Sequence, residues 1–262
     1  MENEIERIPV LRLSDGKASS IEDMVAREFP LTILLNDQEM VTLLCSPVNL
    51  NYLAVGFLYS EGFLQDGDEI KRVVVDQQRG VARVEVEGNE ELSSDVLFKR
   101  MITSGCGRGA SFYSATDVTS QKVESATQVS PAEIRSLVLE FQHRSSTYRA
   151  TGGVHSAALS DTGSIQVFSE DIGRHNAIDK VFGECLLEGI STDGKIVVTS
   201  GRISSEILLK VARRNVPIIV SKSAPTDLGV RLAHDLGITL IGFVRGKRMN
   251  VYSNEWRVTD SG

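Results

Sequence analysis

Cys106 is the residue whose surroundings most favour chemistry. It lies in the segment 104–109 (SGCGRG), where glycines on both sides keep the backbone mobile and leave the sulfur open. Arg100 and Arg108 could favour the thiolate, which is the reactive form of a cysteine. An incidental loop cysteine would show the same pattern, so the spacing alone leaves both interpretations open.

The other two cysteines are predicted to be buried structural residues. Cys45 alternates with Val41 and Leu43, and Cys185 lies on the apolar face of a predicted helix. Three cysteines at wide spacings do not form a disulfide framework, so a reducing cytoplasm fits this chain best.

Charge and hydropathy argue against several classes of function. The net charge of -7 disfavours a nucleic-acid partner, which normally needs a basic face. The N-terminus (MENEIERIPV) has neither the basic region nor the apolar run of a secretory signal. No segment approaches the ~18 consecutive apolar residues of a membrane span. We therefore expect a cytoplasmic protein with no nucleic-acid and no membrane partner.

Hydroxyl residues, glycines and bases follow three predicted strands, in the segments 199–202 (TSGR), 221–226 (SKSAPT) and 245–248 (RGKR). Ligands bind outside the carboxyl ends of parallel strands, and two of these segments lead into helix N-termini, which favour anions. One interpretation of these segments is that they bind a phosphate-bearing ligand. The other is that the hydroxyl residues only cap helices and the basic residues are solvated. Neither a Walker loop nor a G-x-G-x-x-G motif is present. The residues that would hold the ligand are Arg202, Lys222, Ser223, Arg245, Lys247 and Arg248.

Two histidines lie beside glycines where the chain is predicted to turn. His155 belongs to the segment 151–156 (TGGVHS) and His175 to the segment 170–176 (EDIGRHN), so either could face a pocket. A structural imidazole would explain the same pattern. No histidine and cysteine set has the spacing of zinc ligands, so no metal site is expected. A Cys106–His–Asp hydrolase triad stays open, although no nucleophile-elbow motif supports it.

The elements that must position these residues fall into an α/β arrangement of two parts. Residues 1–102 predict a small α+β subdomain with two hairpins and a helix that ends near Gly62. Residues 129–262 open on a capping box at Ser130 and continue with strands and helices in alternation, which predicts a mostly parallel sheet. Residues 103–128, which carry Cys106, have no apolar period and predict a flexible loop.

Several segments together resemble the FdhD family, the formate dehydrogenase accessory sulfur carriers. The resemblance covers most of residues 25–253. It rests on the strings SPVNLNYLAVGFLYSEGF, TGGVHSAAL, EDIGRHNAIDK, SGRISSEI, SKSAPT and GFVRGKRMNVY.

The resemblance implies an activity that composition and spacing do not. Such proteins accept sulfur from a cysteine desulfurase as a cysteine persulfide. They pass it to the bis-guanine-dinucleotide molybdenum cofactor before that cofactor enters formate dehydrogenase. The resemblance also implies a cytidine-deaminase-like C-terminal domain and a homodimer.

The family's functional residues map onto this chain at two places. The carrier cysteine corresponds to Cys106. A cofactor-binding stretch corresponds to Phe243, Val244, Arg245, Gly246, Lys247 and Arg248, so a guanine nucleotide is expected to mimic part of the cofactor. His155 and His175 lie in family motifs and are further candidates for the pocket.

One departure from the family concerns the loop. Well-known members carry C-G-x-C there, whereas this chain has Gly109 in place of the second cysteine. A persulfide needs only one sulfur-bearing residue, so this chain could still carry sulfur. A resolving step through a second thiol in the same loop is excluded. The zinc-binding signature of deaminases is also missing, so the fold does not imply deamination. The alternative function is a chaperone that binds the molybdenum cofactor without transferring sulfur.

Overall fold

The computed structural model describes residues 4–65, 70–87 and 122–259, together with the backbone of two short strands at 100–102 and 110–112. Cys106 lies outside the described residues. The N-terminal elements are β1 (Ile5–Ser14), β2 (Lys17–Ala26), β3 (Phe29–Leu35), β4 (Gln38–Cys45), α1 (Leu50–Glu61), β5 (Ile70–Asp76), β6 (Val81–Val86), β7 (Arg100–Ile102) and β8 (Ala110–Phe112).

The C-terminal part alternates helices and strands after residue 130. Its elements are α2 (Pro131–Arg144), α3 (Ser146–Thr151), β9 (His155–Ser160), β10 (Ile165–Asp171), α4 (Arg174–Leu187), β11 (Ile196–Thr199), α5 (Ser205–Arg213), β12 (Ile218–Ser221), α6 (Asp227–Asp235), β13 (Thr239–Arg245) and β14 (Arg248–Ser253), followed by a 3-10 turn (Glu255–Arg257).

A six-stranded sheet forms the centre of the C-terminal part, in the order β10-β9-β11-β12-β13-β14. The pairs β11–β12 and β12–β13 are parallel, whereas β9, β10 and β14 run antiparallel to their neighbours. The predicted α/β fold class is confirmed. The sheet was expected to be mostly parallel, but only two of its five strand pairs are, because β9–β10 and β13–β14 are hairpins and β9 also runs antiparallel to β11. The likeness to cytidine deaminase stays a prediction.

The N-terminal part contains a four-stranded sheet in the order β4-β3-β6-β5, in which only the β3–β6 pair is parallel. Helix α1 packs between this sheet and α4, so almost its whole circumference is apolar, as expected for a helix buried on all sides. Both predicted hairpins and the helix ending at Gly62 are confirmed; Gly62 has a φ of 87°, the left-handed conformation that closes many helices.

The capping box that the sequence predicts at Ser130 is present. The Oγ of Ser130 accepts a hydrogen bond from the backbone N–H of Glu133 at 3.2 Å, and the carboxylate of Glu133 accepts one from the N–H of Ser130 at 2.7 Å. These reciprocal bonds satisfy two N–H groups that the helix itself leaves unpaired, which is why α2 begins here.

Two predictions from the apolar spacing of the C-terminal helices are wrong. The segment 201–215 predicts a helix from Gly201, but α5 begins only at Ser205, because the N–H of Ile203 donates to the carbonyl of Ala224 and Ile203 forms a parallel bridge with Pro225. The segment 224–237 predicts a helix with Leu228 on its apolar face, but Leu228 is 53% exposed. Local periodicity carries no information on a bridge between residues that are distant in sequence.

Residues 103–128 do not form one continuous loop. Residues 110–112 pair with β7 as a strand, and Val123 is buried with its N–H bonded to the carbonyl of Leu236. Thr127 donates a hydrogen bond to the carbonyl of Gly194, so the described end of this segment is attached to the C-terminal sheet. The proposed domain boundaries themselves stay a prediction.

No helix among the described residues is long and apolar enough to cross a membrane.

Helices α1 and α4 cross in close contact at two glycines. A Cβ on Gly56 would overlap the backbone carbonyl of Asp179, and a Cβ on Gly183 would overlap that of Tyr52. Both obstacles are backbone atoms, which cannot rotate away. The crossing distance is therefore set by glycine, and the N-terminal sheet depends on it for its position on the C-terminal part.

Gly183→Ala is expected to lower the free energy of unfolding by about 3 kcal/mol, because an added methyl in a packed interior forces backbone shifts. Urea denaturation followed by circular dichroism measures the change. Gly163→Ala is the matched control, since an added Cβ there meets only the Asp161 side chain at 3.5 Å. Equal stability of the two variants would contradict the role of this crossing.

Candidate functional site

A cavity of about 1150 Å³ opens at the carboxyl ends of β11 and β12. Helices α2 and α3 form one wall, and the residues after β12 together with the β13–β14 turn form the other. This is the edge of the sheet at which the sequence predicts a ligand.

The second wall is basic. Lys222, Arg245 and Lys247 line it together with Ser223. In the described part of the chain no carboxylate forms an ion pair with any of these three cations. Burial lowers the pKa of Lys222, and the nearby positive charge of Arg245 lowers it further. Cations that repel one another without a protein counter-charge favour an anionic ligand.

A bulge in β13 places Arg245 on this wall. Phe243 has a φ of 54°, and the register between β13 and β14 shifts between Gly242 and Arg245. The N–H of Phe243 donates to the carbonyl of Ser223 at 3.1 Å, which ties the bulge to the segment after β12. A bulge redirects the side chains that follow it, so Val244 is buried while Arg245 is exposed at the cavity.

His155 lies on the floor of the cavity at the start of β9. Its Nδ1 is 3.3 Å from the Oγ of Ser200, which in turn accepts the N–H of Ser156 at 2.9 Å. Burial lowers the pKa of His155, and the positive charges of Arg174 and His175 lower it further. A neutral imidazole is therefore favoured at neutral pH, and it can either donate or accept a hydrogen bond in the cavity.

The predicted site residues are only partly brought together. His155, Ser223, Val244, Arg245, Gly246 and Lys247 line the cavity. Phe243, Arg202 and Arg248 do not, and the last two are exposed to solvent. His175 does not line it either: its Nε2 lies 3.0 Å from Oε2 of Glu206, whose pKa the contact with His175 lowers against the effect of burial.

The first wall carries both apolar and basic side chains and was not found from the sequence. Val138 and Leu139 of α2 and Tyr148 of α3 line it, and so do Arg135, Gln142 and Arg149. Behind it the buried carboxylate of Glu170 accepts the N–H groups of Thr147 and Tyr148 at 2.9 and 3.0 Å. Leu139 lies outside the buried apolar positions of α2. An apolar residue at such a position was the sequence signal that could have pointed to this wall.

The motif around His175 has a structural role that the sequence did not reveal. The fully buried carboxylate of Asp171 forms an ion pair of 2.7 Å with Lys180 and accepts the N–H of Ser46 at 3.0 Å. Asn176 donates both to Asp171 and to the carbonyl of Leu44. These bonds attach the loop after β4 to the edge of the six-stranded sheet.

The two described cysteines are not available for chemistry. Cys45 and Cys185 are 0% and 2% exposed, as the sequence predicts. Burial raises the pKa of each thiol to about 12, with a further increase from Asp171 at Cys45 and from Glu184 at Cys185. Both remain protonated at physiological pH.

No group of three or more His, Cys, Asp or Glu side chains among the residues in the described ranges has an arrangement that could hold a metal ion.

Comparison with known proteins gives consistent results. The model of the FdhD/NarQ family matches residues 26–259. The sulfur carrier protein FdhD of Bacillus subtilis (strain 168) is 45% identical over 252 residues, covering 96% of each chain. That of Staphylococcus aureus (strain MRSA252) is 44% identical over 256 residues, covering 97% of this chain and 96% of the other. A crystal structure assigned as a formate dehydrogenase accessory protein from Desulfotalea psychrophila superposes with a TM-score of 0.82 at 30% identity, covering 98% of this chain and all of the other.

Proposed function

Because the chain belongs to the FdhD/NarQ family, we propose that it is a sulfur carrier required for formate dehydrogenase activity. Cys106 accepts sulfur from a cysteine desulfurase as a persulfide. The sulfur then passes to the bis-guanine-dinucleotide molybdenum cofactor, which is cargo, before the cofactor enters formate dehydrogenase. The protein acts in the cytoplasm as a homodimer.

The state of the cysteines is the observation that carries the proposal. Attack on a persulfide requires a thiolate. The chain has three cysteines, and burial keeps Cys45 and Cys185 protonated. Cys106, with Arg100 and Arg108 nearby in sequence, is the remaining thiol for this step. Gly109 excludes a second thiol in the same segment, so one sulfur atom moves through one residue.

The cavity supports the cofactor part of the proposal. The cofactor ends in guanosine diphosphate groups, which carry negative charge. Lys222, Arg245 and Lys247 face the cavity without carboxylate partners among the described residues. The bound cofactor would supply the molybdenum chemistry, while Lys222, Arg245 and Lys247 would hold its phosphates and the imidazole of His155 would offer a hydrogen bond in the same cavity.

The alternative function, a cofactor-binding chaperone without sulfur transfer, is favoured by the same basic wall but does not use Cys106. Mass spectrometry after incubation with a cysteine desulfurase and cysteine separates the two. A gain of one sulfur atom that requires Cys106 supports transfer. If the wild-type protein gains no sulfur atom, sulfur transfer is contradicted, and the cofactor-binding chaperone becomes the supported function.

Replacing the two cations of the β13–β14 turn is expected to weaken nucleotide binding. A charge-assisted hydrogen bond contributes ~1.5–3 kcal/mol, so each cation lost costs about tenfold or more in affinity. Calorimetric titration with guanosine diphosphate compares wild type with Arg245→Ala/Lys247→Ala. The difference should shrink as salt is raised, because exposed charges are screened.

Two further variants make this titration specific. Arg231→Ala removes an exposed arginine of α6 that pairs with Asp227 away from the cavity, so affinity should not change. Arg248→Ala should cost less than Arg245→Ala, because Arg248 does not line the cavity. Wild-type affinity in Arg245→Ala/Lys247→Ala would remove the basic wall from the proposed site.

A further inference from the structure

The ribbon formed by β1 and β2 exposes large apolar side chains on one face. The pairing register places Leu11, Leu13 and Met24 on the same face, because side chains alternate along a strand. These three residues are 65%, 74% and 40% exposed. A two-stranded ribbon is only marginally stable by itself in water, and contiguous exposed apolar side chains mark surfaces that bind other proteins. The ribbon therefore calls for a partner surface of matching chemistry.

We propose that this face binds the same face of the ribbon in a second copy of the chain, with the two ribbons antiparallel about a two-fold axis. The inference rests on the proposed function, in which the protein acts as a homodimer. It assigns that homodimer a contact surface, and it assigns Lys17 and Glu28 the role of aligning the two ribbons.

The charges within the ribbon favour a partner of the same composition. Arg7 pairs with Glu22 at 4.0 Å, and Arg12 pairs with Asp23 at 3.5 Å, so each arginine is matched by a carboxylate of the opposite strand. The apolar face is therefore flanked by charges that are already compensated. A strongly acidic or basic partner would leave its own charge unmatched at this face, whereas a second ribbon brings another apolar face with the same internal pairing.

The length of the ribbon brings its tip to the base of the second ribbon. Each strand has ten residues, which span about 33 Å, and the turn at Asp15 and Gly16 forms the tip. In an antiparallel pair this tip lies beside the residues that join β2 to β3. A cavity of about 640 Å³ opens there, and its lining includes the apolar residues Val25, Phe29 and Pro47. Each copy therefore offers a recess for the tip of the other.

Two exposed charges fit this arrangement. Lys17 follows the turn at the tip, and Glu28 lines the cavity at the base. Neither forms an ion pair with any residue that the structure describes. Arg27 beside Glu28 already pairs with Glu6 at 3.6 Å. The antiparallel arrangement brings Lys17 of one copy near Glu28 of the other, and the two-fold axis repeats this contact.

Sedimentation velocity of the full chain over a concentration series tests the inference. Leu13→Ser should raise the dissociation constant of the dimer about tenfold or more, because a leucine buried in the contact is lost from both copies. Leu228→Ser is the matched control, since it removes an exposed leucine of α6, and the dissociation constant should stay at the wild-type value. Both leucines lie on the surface, so circular dichroism should show both variants folded.

A charge reversal tests the antiparallel arrangement of the ribbons. Lys17→Glu and Glu28→Lys should each weaken the dimer, because like charges then meet at both contacts. The double variant Lys17→Glu/Glu28→Lys restores opposite charges and should regain the wild-type dissociation constant. If the double variant is as weak as the two single variants together, the contact between tip and base is overturned.

The outcomes separate this inference from the proposed function. A wild-type protein that stays monomeric at micromolar concentration overturns both the ribbon contact and the homodimer, while sulfur transfer through Cys106 is decided independently by mass spectrometry. A dimer that Leu13→Ser leaves unchanged overturns the ribbon contact alone. Equal weakening by Leu228→Ser overturns it too, because association would then follow exposed apolar area in general. Loss of cysteine desulfurase binding in Leu13→Ser with an unchanged dimer would assign the ribbon to that enzyme instead.

Discussion

Cys106→Ala is expected to abolish activation of formate dehydrogenase while the free energy of unfolding stays unchanged. Sulfur carriage needs a nucleophilic thiolate, and no other cysteine of the chain can replace it. Cys45 and Cys185 are buried, and the pKa of each is raised to about 12. Activity should therefore fall to the background seen without the protein. The measurement is formate dehydrogenase activity in cells that lack their own carrier and express the variant.

Cys185→Ala is the matched control for this experiment. It also removes one sulfur, but from the core between α4 and its neighbours. The resulting cavity should lower the free energy of unfolding by roughly 1 kcal/mol or more. Activation should persist in this variant. An active Cys106→Ala protein would eliminate sulfur transfer through this residue and leave the cofactor-binding chaperone as the function.

The parts of the fold that the sequence predicted carry local signals. The capping box at Ser130 and the glycine at position 62 mark helix ends through bonds made within a few residues. The parallel strands β11 and β12 are short continuous runs of buried residues, which their length and the flanking turn residues identify. The family segment 243–248 places a glycine and basic residues directly after a predicted strand. Arg245, Gly246 and Lys247 of this segment do line the basic wall of the cavity.

The parts that were missed depend on contacts between distant residues. Strands β1 and β2 form a two-stranded ribbon that is exposed along most of its length, so it lacks the alternation of a half-buried strand. Glu170 reaches the N–H of Tyr148 across 22 residues of chain, and no spacing rule connects them. Lys180 stands among the apolar residues of α4, and it is fully buried against Asp171. Charged residues within apolar runs are the signal that such pairs leave in a sequence.

A second buried ionic cluster, away from the cavity, joins α1, α4 and α5. The Nζ of Lys210 lies 2.8 and 2.9 Å from the two carboxylate oxygens of Asp179 and 2.8 Å from Oε1 of Glu61. All three side chains are at least nine-tenths buried. Burial raises the pKa of Asp179, although Lys210 opposes the increase. Burial alone would lower the pKa of Lys210, but the attraction of Asp179 and Glu61 outweighs it and raises that pKa.

Lys210→Met is expected to lower the free energy of unfolding at neutral pH by about 3–5 kcal/mol, because it leaves the buried carboxylate of Asp179 without its cation and takes one cation from buried Glu61. Methionine keeps most of the side-chain volume, so lost charge rather than a cavity is tested. Urea denaturation across a pH series measures the effect. A carboxyl whose pKa is higher in the folded state takes up protons more readily there, so folding gains as the pH falls through that range. The deficit should therefore be largest at neutral pH and shrink on acidification.

Matched variants determine whether unpaired charge is the cause. Lys71→Met removes an exposed lysine that pairs with Glu87 at 3.6 Å, and should change stability by less than about 1 kcal/mol. Adding Asp179→Asn to Lys210→Met removes the carboxylate that lost its cation and should restore part of the lost stability. Because Lys210 lies away from the cavity, guanosine diphosphate affinity of the folded variant should equal that of wild type. A deficit that is independent of pH and not reduced by Asp179→Asn would instead assign the loss to the packing of the lysine chain against Phe57, over which its Nζ lies at 5.5 Å.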